Sequence, residues 1–397
     1  MAFVQLSSLL LATFAASTVA VDVFTNVTIY TSPNNTGATS YARTEELPDG
    51  SWIATWNSFG DRSNSSILSS LPVYRSTDEG HTWGPWGKVG SGIPGRRLVQ
   101  PHLLVLTEDM GEYEEGTVLL AVNAADNNST NIEIYASEDL GENWKFATRV
   151  AVGGRGNTTN GATPVWEPFL LLHNHKLICY YSDQRDPKHG QKLAHQTTRD
   201  LVKWGPVVND VAEKEYTDRP GMQTVTQLPN GKWVVSFEYA MLNGTNTTTD
   251  YIFPVHIRIA DDPEKFDGSP SIPVKSPGAP TRPDAAPYVV WSPVGGENGT
   301  LVLSDNDNSV VFINQKLGLG EWQWLETGAS NAYSRELRIP KDDTSKLWIT
   351  AGGRYGAKAP TKVEITILDL EEALEKKNFT THRSVRSPRV KLPDVTI

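Results

Sequence analysis

Ser76-Thr77-Asp78-Glu79-Gly80-His81-Thr82-Trp83 returns downstream as Ser137-Glu138-Asp139-Leu140-Gly141-Glu142-Asn143-Trp144, and both stretches read S-x-D-x-G-x-x-W. A weaker copy, Thr198-Arg199-Asp200-Leu201-Val202-Lys203-Trp204, follows at the same interval of about sixty residues. Asp261 to Phe266, and Asn314 to Gly318 with Trp322, continue the series in eroded form. The chemistry of this motif, the Asp-box turn, is local. Its carboxylate accepts backbone N–H groups, its glycine permits a positive φ, and its tryptophan plugs the space between neighbouring sheets. It belongs on an outer rim and carries structure, not catalysis.

A second signal runs in phase with the first. Hairpin turns flanked by apolar or β-branched runs occur at Pro48-Asp49-Gly50, Glu115-Gly116, His173-Asn174-His175, Pro229-Asn230-Gly231, Asn298-Gly299 and Asp343-Thr344-Ser345. Each marks a pair of antiparallel strands. Six such units predict an all-β, six-bladed β-propeller, with four-stranded blades around one axis. A two-sheet sandwich is the alternative, but it does not account for the period of the turns. The segment from Val23 to Tyr30 is left over and is expected to complete blade six, closing the ring. One helix is predicted, over 368–377. A single propeller domain is expected over 21–397.

The chain has 397 residues and a formal charge of −10, which argues against nucleic acid or an anionic membrane as partner. A monomer is expected. Residues 1–20 read as a secretory signal, with an apolar run from Leu9 to Phe14 and small residues before Val21. N-x-S/T sequons at Asn26, Asn34, Asn64, Asn127, Asn128, Asn157, Asn243, Asn246, Asn298 and Asn378 agree with export. Cys179 is the sole cysteine, so no internal disulfide forms, and the thiol is expected to be a buried apolar filler.

In a propeller the innermost strands run beside the axis, so carboxylates embedded in their apolar runs need a partner or a purpose. Glu167 opens the inner strand of blade three in Val165-Trp166-Glu167-Pro168-Phe169, and Glu238 lies on the second strand of blade four in Val235-Ser236-Phe237-Glu238-Tyr239. For each alone a buried ion pair is the competing reading. Together on adjacent blades they suggest an acid and a nucleophile or base. Tyr333 is placed to hydrogen-bond one of them. Further pocket candidates are Arg43, Gln100, Trp166, Asp183, Gln223, Trp291, Arg335 and Arg354, with Trp166, Trp291 and Phe59 as sugar-stacking faces; blade packing is the competing reading for each. No cofactor or metal is required. Asp305-Asn306-Asp307-Asn308 lacks the glycine and distant glutamate of a calcium loop, and the histidines lack ligand spacing.

The Asp boxes, together with VWEPFLLL, VVSFEY and AYSREL, resemble glycoside hydrolase family 93, the exo-α-1,5-L-arabinanases, over essentially the whole chain after residue 20. The resemblance implies a retaining enzyme that releases arabinobiose from the non-reducing end of linear α-1,5-L-arabinan. It carries the catalytic glutamates onto Glu167 and Glu238 and the active-site tyrosine onto Tyr333. Our sequence reading prefers Glu238 as nucleophile and Glu167 as acid/base, although the opposite order fits the same residues. Two rivals stay open. A sialidase needs an arginine triad, for which Arg43, Arg335 and Arg354 are available, but it leaves Glu167 idle. A propeller lectin needs repeated sites, whereas Arg43, Gln100, Glu167, Gln223 and Tyr333 do not repeat.

Overall fold

The computed structural model describes residues 21–34, 37–58, 70–244, 250–306 and 308–384. Phe59 and Asp307 lie outside them. Six antiparallel sheets are arranged in chain order, each winding outward from its innermost strand. The inner strands are Thr39–Glu46, Arg97–Val105, Val165–His173, Arg219–Gln227, Tyr288–Ser292 and Glu336–Arg338, for blades one to six. Each contacts the next, and the sixth returns to the first. The ring is a six-bladed β-propeller.

Packing explains why these strands do not alternate cleanly between apolar and polar. The second strand of blade two, Val118–Ala125, is buried at every residue but its last. Both of its faces are covered by neighbouring blades, so both must be apolar. The core is accordingly a set of layers between blades. Ile53, Leu71 and Val73 of blade one interleave with Leu103, Val118 and Val122 of blade two. Leu119 and Ile134 of blade two do the same with Leu170 and Cys179 of blade three. Cys179 is fully buried, as expected for a filler.

The S-x-D-x-G-x-x-W turns join third strands to outer strands. In the first, Thr82 N–H donates to Asp78 Oδ1 at 2.9 Å, and the Trp83 indole N–H donates to Gly80 O at 2.9 Å. In the second, Asn143 N–H and the Trp144 indole make the equivalent bonds, both at 2.9 Å. Gly80 has φ +87°, and a Cβ there would stand 2.5 Å from the Trp52 ring, so both torsion and space demand glycine.

The ring closes as the sequence predicts. Phe24–Thr31 forms the outer strand of blade six, with Val27 paired antiparallel to Ile365. The helix spans Leu370–Ser384 and begins two residues later than expected. Leu368 and Asp369 are held in the sheet opposite Leu347 and Lys346, and Asp369 Oδ1 caps the helix by accepting Glu372 N–H at 2.9 Å. No helix among the described residues is long and apolar enough to cross a membrane.

One backbone feature repeats that the sequence does not advertise. Near the start of every inner strand a residue other than glycine takes a left-handed conformation: Tyr41, Gln100, Glu167, Met222, Ala286 and Ser334, with φ between 42° and 59°. In blades one to four this coincides with a break in register, between Ser40 and Arg43, Val99 and His102, Trp166 and Phe169, and Gly221 and Thr224. These are β-bulges, which re-aim side chains at a sheet edge. All six left-handed residues lie where the inner strands begin, at one end of the axis.

Candidate active site

The bulges deliver the site. Glu167 occupies the bulge of blade three and is held by its own blade and the two on either side. Ser182 Oγ donates to Glu167 Oε2 at 2.8 Å, Met222 N–H donates to the same oxygen at 3.1 Å, and Gln100 Nε2 approaches Oε1 at 3.4 Å. Gln100 Oε1 in return accepts Glu167 N–H at 3.1 Å and Asn123 Nδ2 at 3.0 Å, which fixes the amide's orientation.

Glu238 lies across the sheet from Gly221, the residue before Met222. The two carboxyl groups therefore flank one peptide unit of blade four. A Cβ on Gly221 would come within 3.1 Å of Glu238 Oε1 and 3.0 Å of Gln191 Nε2, so only glycine lets the carboxyl lie this close to the chain. Glu238 Oε2 accepts Ala286 N–H at 2.9 Å, from the left-handed residue that leads into the inner strand of blade five.

Donor supply is unequal, and this decides where the proton rests. Burial raises both carboxyls. For Glu167 the Ser182 hydroxyl, the Met222 amide and the positive field of Arg219 oppose that rise. For Glu238 burial is reinforced by the negative charge of Glu167, and its pKa is pushed up to about 8. Of the two, Glu238 is biased toward holding a proton and Glu167 toward ionisation.

Arg219, which our sequence reading overlooked, supplies the balancing charge. Its guanidinium is buried, and its bonds go to neutral oxygens: Asn160 Oδ1 at 2.6 Å, Gly190 O at 3.1 Å, Gln184 Oε1 at 2.9 Å and Gln191 Oε1 at 3.1 Å. No carboxylate lies within ion-pair distance among the described residues, so its field falls on the glutamate pair. Tyr41, Ser182 and Met222 were also missed. They sit among ordinary strand residues, and their sequence context carries no sign of a bulge.

Tyr333 joins the site by a different contact from the one expected. Its hydroxyl donates to Met222 Sδ at 3.4 Å and meets the Tyr41 hydroxyl instead of bonding a glutamate. The rings of Tyr41 and Tyr333 cross edge-on at 5.3 Å. Burial pushes both phenols well above their ordinary range, so both stay protonated. The site opens onto a narrow axial cavity of about 20 Å³, lined by Arg43, His102, Phe169, Gln223 and Thr224 among others.

The other candidates divide. Gln100 is at the centre. Trp166 stands at the mouth, half-buried, its indole bonded to Gln184 Oε1 at 3.0 Å. Arg354 is exposed, beside Tyr355, whose ring lies 5.1 Å from that of Tyr333. Arg43 is committed to Ser334, at 2.8 Å to its carbonyl and 2.7 Å to its hydroxyl, and pins blade one to blade six. Gln223 bonds Ala194 O at 3.1 Å inside blade three. Three candidates fall outside the site. Arg335 is fully buried and caps the carbonyls of Ser309 and Val310, tying blade six to blade five. Asp183 is taken up by Arg185 at 2.7 Å. Trp291, at the far end of its inner strand, bonds Asn298 O at 3.0 Å on the opposite face of the ring.

The chain superposes on a Penicillium chrysogenum α-L-arabinanase complexed with arabinobiose, with 41% identity and a TM-score of 0.83, over 89% of this chain and 99% of that one. The chain belongs to glycoside hydrolase family 93. A family 93 α-L-arabinofuranosidase of Fusarium graminearum, also solved with arabinobiose, matches at 38% identity, a TM-score of 0.83 and the same coverage. A leech intramolecular trans-sialidase shares the fold alone, at 9% identity and a TM-score of 0.58, over 89% of this chain and 71% of that one. No family model and no curated protein matches the sequence.

Proposed function

We propose that this family 93 protein is a secreted, retaining exo-hydrolase that removes arabinobiose from the non-reducing end of linear α-1,5-L-arabinan. The observation that carries the reading is the pair of buried glutamates, close enough for the charge of one to hold the proton on the other. Retention requires carboxyls about 5 Å apart, with no room for a water between the nucleophile and the sugar.

The roles follow from the donors. Glu167, ionised and oriented by Ser182, Met222 and Gln100, attacks the anomeric carbon as the glycosidic C–O bond breaks. Glu238 gives its proton to the departing oxygen. With Glu238 then ionised, it takes a proton from water, whose oxygen displaces Glu167 from the sugar. This ordering reverses the preference drawn from sequence, because it is Glu167 that has the greater supply of donors. Tyr41 and Tyr333 position the Met222 segment on which both carboxyls rest.

The name of the Fusarium relative, an arabinofuranosidase, favours a second reading in which a single sugar is released by the same pair. Sizing the product of linear arabinan separates the two. The mechanism is tested by trapping with an activated 2-fluoro glycoside and mapping the adduct. A glycosyl ester on Glu167 is expected, and one on Glu238 overturns the assignment. Inverted product overturns the retaining mechanism altogether.

A further inference from the structure

The sequons are not scattered over the ring. Inner strands begin on the face that carries the glutamates, so that face is built from two kinds of connection. One links second to third strands, and the other links each outer strand to the next blade. Of the eight sequon asparagines among the described residues, five lie on these connections: Asn34, Asn127, Asn128, Asn157 and Asn243, all exposed. The opposite face, which holds the hairpin turns and the S-x-D-x-G-x-x-W turns, has Asn298.

Side-chain bonding sharpens the division, because a glycan is attached through Nδ2. The Asn26 nitrogen donates to Gly328 O at 3.0 Å, and that of Asn298 donates to Gln315 O at 3.3 Å. Both are committed to the fold. At Asn157 the bonding is reversed. Its Oδ1 accepts Thr159 N–H at 2.9 Å, so in this exposed side chain the oxygen, not the nitrogen, is tied to the fold. Asn157 also stands next to the mouth. A Cβ on Gly156 would be 3.4 Å from the Trp166 ring, and Trp166 precedes Glu167. Thr159 O accepts Gln184 Nε2 at 3.4 Å, and Gln184 in turn holds both Trp166 and Arg219.

We propose that Asn157 carries an N-linked glycan beside the entrance to the active site, and that this glycan hinders branched or bundled polymer while admitting a single free chain end. The proposal rests on the secreted, arabinan-cleaving reading above. A glycan is bulky and hydrated, so at this position its effect falls on large substrates more than on small ones.

The test uses the full chain with its own leader, produced in a yeast that adds N-glycans, alongside Thr159→Ala. That variant removes the sequon but keeps Asn157 and the Thr159 backbone. Peptide mass mapping of the secreted protein is expected to show a glycan on Asn157 and none on Asn26 or Asn298. In Thr159→Ala, kcat/KM on polymeric arabinan is expected to rise several-fold, with that on a short linear arabino-oligosaccharide unchanged. Unmodified Asn157 in the secreted protein overturns the proposal, as does an unchanged ratio of polymer to oligosaccharide turnover. Retention of the chain inside the cell removes the secretory reading and the glycan with it. Glycosylated protein inactive on both substrates sinks the arabinan reading and with it the proposed gate, although the sugar on Asn157 stands.

Discussion

The outer rim and the axis of this propeller repeat in opposite ways. At the rim both sequence and contacts recur: two copies of S-x-D-x-G-x-x-W make matching bonds of 2.9 Å. At the axis the backbone recurs, as a left-handed residue in each inner strand, while the side chains placed there are Tyr, Gln, Glu, Met, Ala and Ser. The rim repeats because every blade must solve the same packing problem. The axis diverges because its six strand ends converge on a single site. Left-handed conformations of residues other than glycine are uncommon and costly, and they gather where function requires a particular aim.

If that contrast is right, the largest effects belong to axial substitutions that leave stability alone. Glu167→Gln and Glu238→Gln are each expected to lower turnover of linear arabinan by roughly 10³-fold or more with an unchanged melting curve. Near-normal turnover in either removes that residue from the pair. The pH profile comes next. In kcat/KM the basic limb should fall near pH 8, as Glu238 loses its proton. The acid limb should fall as pH drops through the raised pKa of Glu167. Arg219→Gln keeps hydrogen-bonding capacity but removes a cation, so Glu167 becomes harder to ionise and the acid limb moves to higher pH. Arg219→Lys should largely restore it. The groups facing that cation are Glu167, Glu238, Tyr216 and Tyr251.

Rim substitutions should do the reverse. Asp139→Ala removes acceptors for Ser137 and Asn143, costing about 1–2 kcal/mol in thermal unfolding while kcat stays at the parent value. A fall in kcat without loss of stability would break the division between rim and axis. The smallest effect is expected from Trp291→Phe, which should leave KM unchanged because that indole lies on the opposite face.

Much of this was legible in the residues. The turn period fixed the number of blades, and apolar runs interrupted by Glu167 and Glu238 marked both carboxyls. What stayed hidden follows from the bulges. One extra residue in a strand reverses which side chains face the axis. Arg335, just after the left-handed Ser334, is turned into the seam between blades, while Tyr41 and Met222 are brought to the centre. Arg219 went unseen for another reason. A buried cation is usually recognised by an acidic partner near in sequence or pattern, and this one is held by amide and carbonyl oxygens from separate loops.

Ring closure has a consequence for how the enzyme comes into being. Asn26 N–H bonds Thr366 Oγ1 across 340 residues of chain, so the sixth sheet stays incomplete until these two distant strands meet. Pairing at such separation is entropically late and slow to form. Because the strand ends of all six sheets shape the cleft, an assembly lacking that seam has no properly formed place for the sugar, and competence should appear in a single step at the end of folding.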